Sequence, residues 1–180
     1  MKKNITAVGI IFVIMIFSSI FNSAKAKSDN NLSDEKLLYL PLVTSPHPAG
    51  KIVFVSGSSI FTMNTSGSNR IQLTTNEATE HSPAWSPDGT EIVFISNRSG
   101  SSEIFKMDAN GDSVVRLTTN SIIEYSPNWS PDGSKIVFES EKDIFIMSAD
   151  GTGITNITDT PDIIELHPDW SPDGNKIAFA

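Results

Sequence analysis

Glutamate recurs five residues before each of three tryptophans: Glu80 before Trp85, Glu124 before Trp129 and Glu165 before Trp170. One carboxylate per repeat at one equivalent position defines a symmetric ring. Three converging carboxylates would favour a cation or a basic peptide. His81 and Tyr125 stand beside two of them, and His167 one step later in its own copy. These six residues are the candidate partner-binding set. If the ring is exposed, Glu80→Lys with Glu124→Lys should abolish partner binding without unfolding the chain. The plainer reading is that each glutamate is a solvated or turn-capping residue, copied because its repeat is copied. His81, Tyr125 and His167 are then ordinary loop residues.

Other chemistry finds no footing. The 180 residues contain no cysteine, which excludes a disulfide framework, a cysteine-ligated metal and a cysteine nucleophile. Gly-x-Ser-x-Gly is absent, and so is a phosphate-cradling glycine loop. The three histidines, His47, His81 and His167, have no helical ligand spacing. Asp108-Ala109-Asn110-Gly111-Asp112 faintly suggests a calcium loop, but it lacks glycine at loop position six and glutamate at twelve. A hairpin turn explains it. The tryptophans could stack on sugars, yet their fixed place in a repeat makes them packing residues. Thirteen Lys and Arg against 21 Asp and Glu leave a net charge of -8, the wrong sign for a non-specific nucleic-acid binder. No cofactor and no metal are expected, and the chain reads as a non-enzyme.

The N-terminus reads as an address. Lys2 and Lys3 precede an apolar run from Ala7 to Phe21, and Ala24-Lys25-Ala26 supplies a small-residue cleavage site. The run is short of the roughly 20 residues a membrane span needs. Residues 1–26 are therefore read as a signal peptide, and the mature chain as periplasmic or extracellular, with no stable membrane insertion after cleavage. An uncleaved anchor would export the chain equally. Cleavage leaves 10 Lys and Arg against 21 Asp and Glu. Residues 27–50 read as a linker in which Leu37-Leu38-Tyr39-Leu40-Pro41-Leu42-Val43 is an edge strand or a loose lead-in.

The elements that must position the candidate residues come from an internal repeat. Ser82-Pro83-Ala84-Trp85-Ser86-Pro87-Asp88-Gly89 returns as Ser126 to Gly133 and as His167 to Gly174. Ile92-Val93-Phe94, Ile136-Val137-Phe138 and Ile177-Ala178-Phe179 follow. Ile-Phe-x-Met occurs at Ile60–Met63, Ile104–Met107 and Ile144–Met147. Four residues after each Met comes Gly67, Gly111 or Gly151, and six later Leu73, Leu117 or Ile157, each followed by Thr. Ser-Pro-Asp-Gly is turn chemistry, with proline presetting φ and glycine taking the left-handed position. The Ile-Val-Phe run is apolar on consecutive residues, which predicts a strand buried on both faces. Pro83, Pro127 and Pro168 cannot donate a ladder bond and so predict an edge strand. Three or four short strands per repeat of about 42 residues predict an all-β chain, a β-propeller of four-stranded antiparallel blades.

These residues resemble the WD40-like repeat of the TolB family. They are also similar to the propellers of tricorn-type and prolyl-oligopeptidase-type peptidases. The resemblance covers 51–180 and implies an exported, non-enzymatic propeller that binds a protein or peptide, including cell-envelope proteins. The alternative it implies is the substrate-gating propeller of a truncated serine peptidase of those types. The first copy departs from the pattern, because Thr44–Gly50 carries no tryptophan octet.

The count does not close. Three blades and the start of a fourth form an incomplete propeller, and propellers have four to eight blades. The chain is therefore expected to be a fragment of a longer propeller, or a partial ring that covers its open blade edges by self-association.

Overall fold

A computed structural model describes residues 50–120, 122–160 and 162–180. The expected signal peptide and most of the linker, with His47 and the lead-in segment, lie outside the described residues. Thirteen strands and no helix make up the described chain.

The first sheet contains β1 (Lys51–Ser56), β2 (Ser59–Asn64) and β3 (Ile71–Gln72) in that order. The second contains β4 (Glu80–Trp85), β5 (Glu91–Ser96), β6 (Glu103–Asp108) and β7 (Val115–Arg116). The third repeats it with β8 (Glu124–Trp129), β9 (Lys135–Ser140), β10 (Asp143–Ser148) and β11 (Thr155–Asn156). A fourth pairs β12 (Asp169–Trp170) with β13 (Ile177–Ala178). Every pairing is antiparallel, and every strand pairs with its neighbour in sequence. These sheets are the blades of an unclosed propeller, numbered one to four below. β4 packs against β1 of the blade before it and β8 of the blade after it, and β8 in turn touches β12.

The repeat's apolar signature has a register behind it. The Phe of Ile-Val-Phe lies directly opposite the Phe of Ile-Phe-x-Met, as Phe54↔Phe61, Phe94↔Phe105 and Phe138↔Phe145. Their rings stack with centroids 5.8, 6.0 and 5.7 Å apart. The threonine after each Leu or Ile is a bolt: Thr74, Thr118 and Thr158 accept the N–H of Ile60, Ile104 and Ile144 at 2.9, 2.9 and 3.0 Å. It ties the outermost strand back to the start of the third, where a two-residue ladder alone would fray.

The turns form as their residues require. Gly89, Gly133 and Gly174 donate to the carbonyls of Ser86, Ser130 and Ser171 at 2.9, 2.9 and 2.8 Å. Ser86, Ser130 and Ser171 then accept the N–H of Glu91, Lys135 and Lys176, each at 2.9 Å. β4 and β8 are edge strands, as the prolines demand. Both carry a bulge, between His81 and Ala84 and between Tyr125 and Asn128.

The core sits between blades. Trp85 packs with Val53 and Ile60 of blade one and with Ile92 and Phe94 of blade two. Trp129 packs with Val93, Ile95 and Ile104 of blade two and with Ile136 and Phe138 of blade three. β5 and β9 are buried on consecutive residues because a neighbouring blade lies on each face.

Candidate partner-binding surface

Each glutamate of the candidate ring opens an innermost strand or the loop leading to one. Its main-chain N–H donates to a hairpin carbonyl of the blade before it: Glu80 to Ser58 at 3.1 Å, Glu124 to Ser102 at 3.2 Å, Glu165 to Lys142 at 2.8 Å. That bond draws the side chain inward. Glu80, Glu124 and Glu165 are 1%, 0% and 4% exposed, so they are neither solvated nor presented as an open ring. The substitution pair Glu80→Lys and Glu124→Lys would bury unpaired ammonium groups and damage folding.

Their carboxylates hold loops. Asn76 Nδ2 donates to Glu80 Oε1 at 2.9 Å, and the Arg98 guanidinium also pairs with it. Asn120 Nδ2 donates to Glu124 Oε1 at 2.9 Å, while Ile104 N donates to Glu124 Oε2 at 3.2 Å and the Thr118 hydroxyl donates to the same oxygen. Thr160 Oγ1 donates to Glu165 Oε1 at 2.9 Å. Burial pushes the Glu124 carboxyl up from its ordinary range, against the pull of the Thr118, Asn120 and Ile104 donors, and the Glu103 carboxylate adds to the push. Turn-capping is thus the observed arrangement, in a buried rather than a solvated setting.

The other three residues lie at the same end of the inner strands. Ser82, Ser126 and His167 take positive φ of 51°, 48° and 56°. In β4 and β8 this residue and the following proline form the bulge. The bulge redirects the residue before it, and His81 and Tyr125 come together with ring centroids 6.4 Å apart. His81 is half-buried and its burial lowers its pKa, so the neutral imidazole is favoured there. Tyr125 is 45% exposed. His167 stands at the position of Ser82 and Ser126 in its own repeat, ahead of β12, and its ring, 77% exposed, stands 3.5 Å from Glu139. Glu139 is the cross-strand partner of Tyr125, which links the three residues along one rim.

Four residues that the motif reading passed over join this rim. Ile123, Ile163, Ile164 and Leu166 are 49%, 55%, 59% and 40% exposed. The available signal was the duplicated Ile-Ile-Glu, at Ile122–Glu124 and Ile163–Glu165. Paired isoleucines in a loop with neither strand nor helix period have no core to enter.

The opposite end of the inner strands carries the Ser-Pro-Asp-Gly turns. A crevice of about 370 Å³ between two of them is lined by Asp88, Glu91, Trp129 and Asp132. Hydrogen bonds from Ser130 and Ser134 pull Asp132 down to about 2. Among the described residues, no group of three or more His, Cys, Asp and Glu is arranged to hold a metal ion. No described helix is long and apolar enough to cross a membrane.

Comparison with known proteins adds family to geometry. Residues 49–143 match the family model of the TolB beta propeller domain. The solved structure of TolB from Acinetobacter baumannii superposes with TM-score 0.64 and 27% identity, over 73% of this chain and 35% of that one. A TolB homologue from Agrobacterium tumefaciens gives TM-score 0.63 and 25% identity, over 73% of this chain and 55% of that one. A 44-residue stretch, 24% of this chain, is 48% identical to dipeptidyl-peptidase 5 of Porphyromonas gingivalis and covers 6% of that enzyme. The chain thus spans about half or less of the length of each of these relatives.

Proposed function

The chain belongs to the TolB β-propeller domain family, and from that premise we propose that it is an exported, non-enzymatic module that binds a protein or peptide partner. In this reading residues 1–26 are a signal peptide, 27–50 a linker and 51–180 the propeller, placed in the periplasm or outside the cell. The binding surface is the rim of His81, Tyr125 and His167. Glu80, Glu124 and Glu165 serve it from beneath by fixing the loops. The observation that carries the reading is the exposure of Ile123 in the approach to β8 and of Ile163 and Ile164 in the approach to β12. Exposed large apolar side chains in neighbouring loops, rather than in the core their type suits, point to an interaction surface. Self-association is the same proposal with a second copy as partner.

The test is capture from a cell-envelope extract with the wild-type chain and with a Tyr125→Ser, Ile163→Ser, Ile164→Ser variant. All three side chains are exposed, so the melting temperature should stay close to wild type. Partner recovery should fall about tenfold or more, the loss expected when anchor residues are truncated. Unchanged recovery overturns the reading.

The likeness to dipeptidyl-peptidase 5 favours a second reading, a propeller that gates substrates for a peptidase. The gene beyond codon 180 distinguishes the two. Further blades and then a stop support the binding module, and an α/β-hydrolase with Gly-x-Ser-x-Gly supports the peptidase.

A further inference from the structure

We propose that the loop leading to β12, residues 162–167, together with the β9–β10 hairpin, docks a basic amphipathic segment of the partner. The inference rests on the partner-binding reading above and adds the partner's chemistry to it.

The loop departs from its own repeat. Ile163 and Ile164 precede Glu165, where Ala78 and Thr79 precede Glu80. Both glutamates are buried, and each carboxylate accepts a hydrogen bond from its own loop, from Asn76 in one and Thr160 in the other. The capping role therefore does not require isoleucine at these positions. Ile163 and Ile164 are nonetheless more than half exposed, and Leu166, on the other side of Glu165, is 40% exposed. Large apolar side chains that the fold neither buries nor needs are what an interaction surface leaves uncovered.

The loop is held in place. The Glu165 N–H donates to the Lys142 carbonyl of the β9–β10 hairpin at 2.8 Å. Leu166 and Ala180 exchange two main-chain bonds, each at 2.9 Å. Glu165 is thus fixed inward while its neighbours Ile164 and Leu166 face water. A loop fixed in this way presents its apolar side chains at little ordering cost on binding.

Charge selects the occupant. Asp162 adjoins Ile163, Asp159 lies in the same connection, and Glu141 stands beside Lys142 in the hairpin; all four charged side chains are exposed. Three carboxylates therefore oppose one ammonium. The whole chain carries a net charge of -8, so a second copy would bring charge of the same sign to this contact. A segment with apolar anchors flanked by Lys or Arg satisfies both features. Its anchors cover Ile163, Ile164 and Leu166, and its cations face Asp159, Asp162 and Glu141. Charge pairs at the edge of such a contact set partner choice and association rate more than affinity.

The experiment measures binding of the full chain, by fluorescence anisotropy, to a short amphipathic peptide of leucine and lysine. Its control is the same peptide with glutamate in place of every lysine. The lysine peptide should bind about tenfold more tightly than the glutamate peptide. Ile163→Ser with Ile164→Ser should weaken the lysine peptide about tenfold. Asp159→Asn with Asp162→Asn should weaken it about two- to five-fold and flatten its salt dependence. Asparagine suits these sites because both aspartates have positive φ, 47° and 66°, which asparagine also tolerates. All four substituted side chains are exposed, so melting temperatures should stay close to wild type. Equal binding of the two peptides overturns the proposal, and so does binding that either double variant leaves unchanged. A wild-type dimer that forms without peptide and is lost in the isoleucine variant assigns the site to a second copy and equally overturns it. The two claims fail separately. If the isoleucine variant loses its envelope partner while both peptides bind alike, the partner reading stands and the basic chemistry falls. Unchanged capture of the envelope partner removes the partner reading itself.

Discussion

Glu124 is a carboxylate shut away from water, and its cost and its use are both measurable. Burial raises its pKa, so the folded chain keeps this proton to a higher pH than the unfolded chain does. The folded state binds more protons in that window, and this group's contribution to stability is lost as pH rises from about 4.5 upward. Glu124→Gln should flatten that fall, which urea midpoints between about pH 4 and 8 will show. Glu124→Ala should cost about 1–3 kcal/mol, because Asn120 Nδ2 loses its acceptor at a part-buried site. Neither outcome was visible in the spacing of the glutamates. Spacing gives equivalence of position, and the difference between an exposed ring and a buried bolt is set by the hairpin of the blade before.

At the scale of elements, the Ser-Pro-Asp-Gly turn carries an opposite pH signature. Asp132 is held at about 2 first by the Ser130 hydroxyl and then by the N–H and hydroxyl of Ser134. Asp88 and Asp173 are lowered by the same pattern, led by Ser86 and Ser171. A depressed carboxylate stabilises the fold above its unfolded value near 3.8, and that stability is lost as pH falls toward 2. Acid unfolding should therefore set in between about pH 4 and 2, and Asp132→Asn should blunt this window while lowering the melting temperature at neutral pH. The hairpin between the third and fourth strands of blades two and three, with Gly111 and Gly151, depends on glycine for two reasons. Gly151 has φ +87°, and a Cβ there would sit 2.7 Å from the carbonyl oxygen of Leu117, just after β7 of the blade before it. Gly57, in the hairpin between β1 and β2, has φ +65° with open space around it. Gly57→Ala should cost about 1–2 kcal/mol for its conformation alone. Gly151→Ala should cost clearly more, and paired thermal melts decide whether the close approach matters.

For the whole molecule, cohesion lies between blades rather than within them. Trp129 touches side chains of two blades and is 5% exposed, so Trp129→Ala should destabilise by about 3–5 kcal/mol in a urea titration. Equal cost from a change at exposed Ile71 would sink that view. The strand order, the turns, the edge prolines and the interblade place of the tryptophans were legible in the sequence. They rest on local chemistry: proline's missing donor, glycine's left-handed φ, and apolar residues on consecutive positions of β5 and β9. A repeat multiplies each such signal, which is why the propeller could be read from a single chain. What needed the tertiary structure was the environment of polar side chains. Glu80, Glu124 and Glu165 share one spacing with exposed neighbours, and only the packing of one blade's hairpin on the next strand takes them out of water. Likewise Ile123, Ile163 and Ile164 look like core residues by type, and Glu139 like a surface one. Their exposure and burial reverse because solvent contact is a property of the surface that neighbouring blades leave uncovered, and no local pattern along the chain encodes that surface.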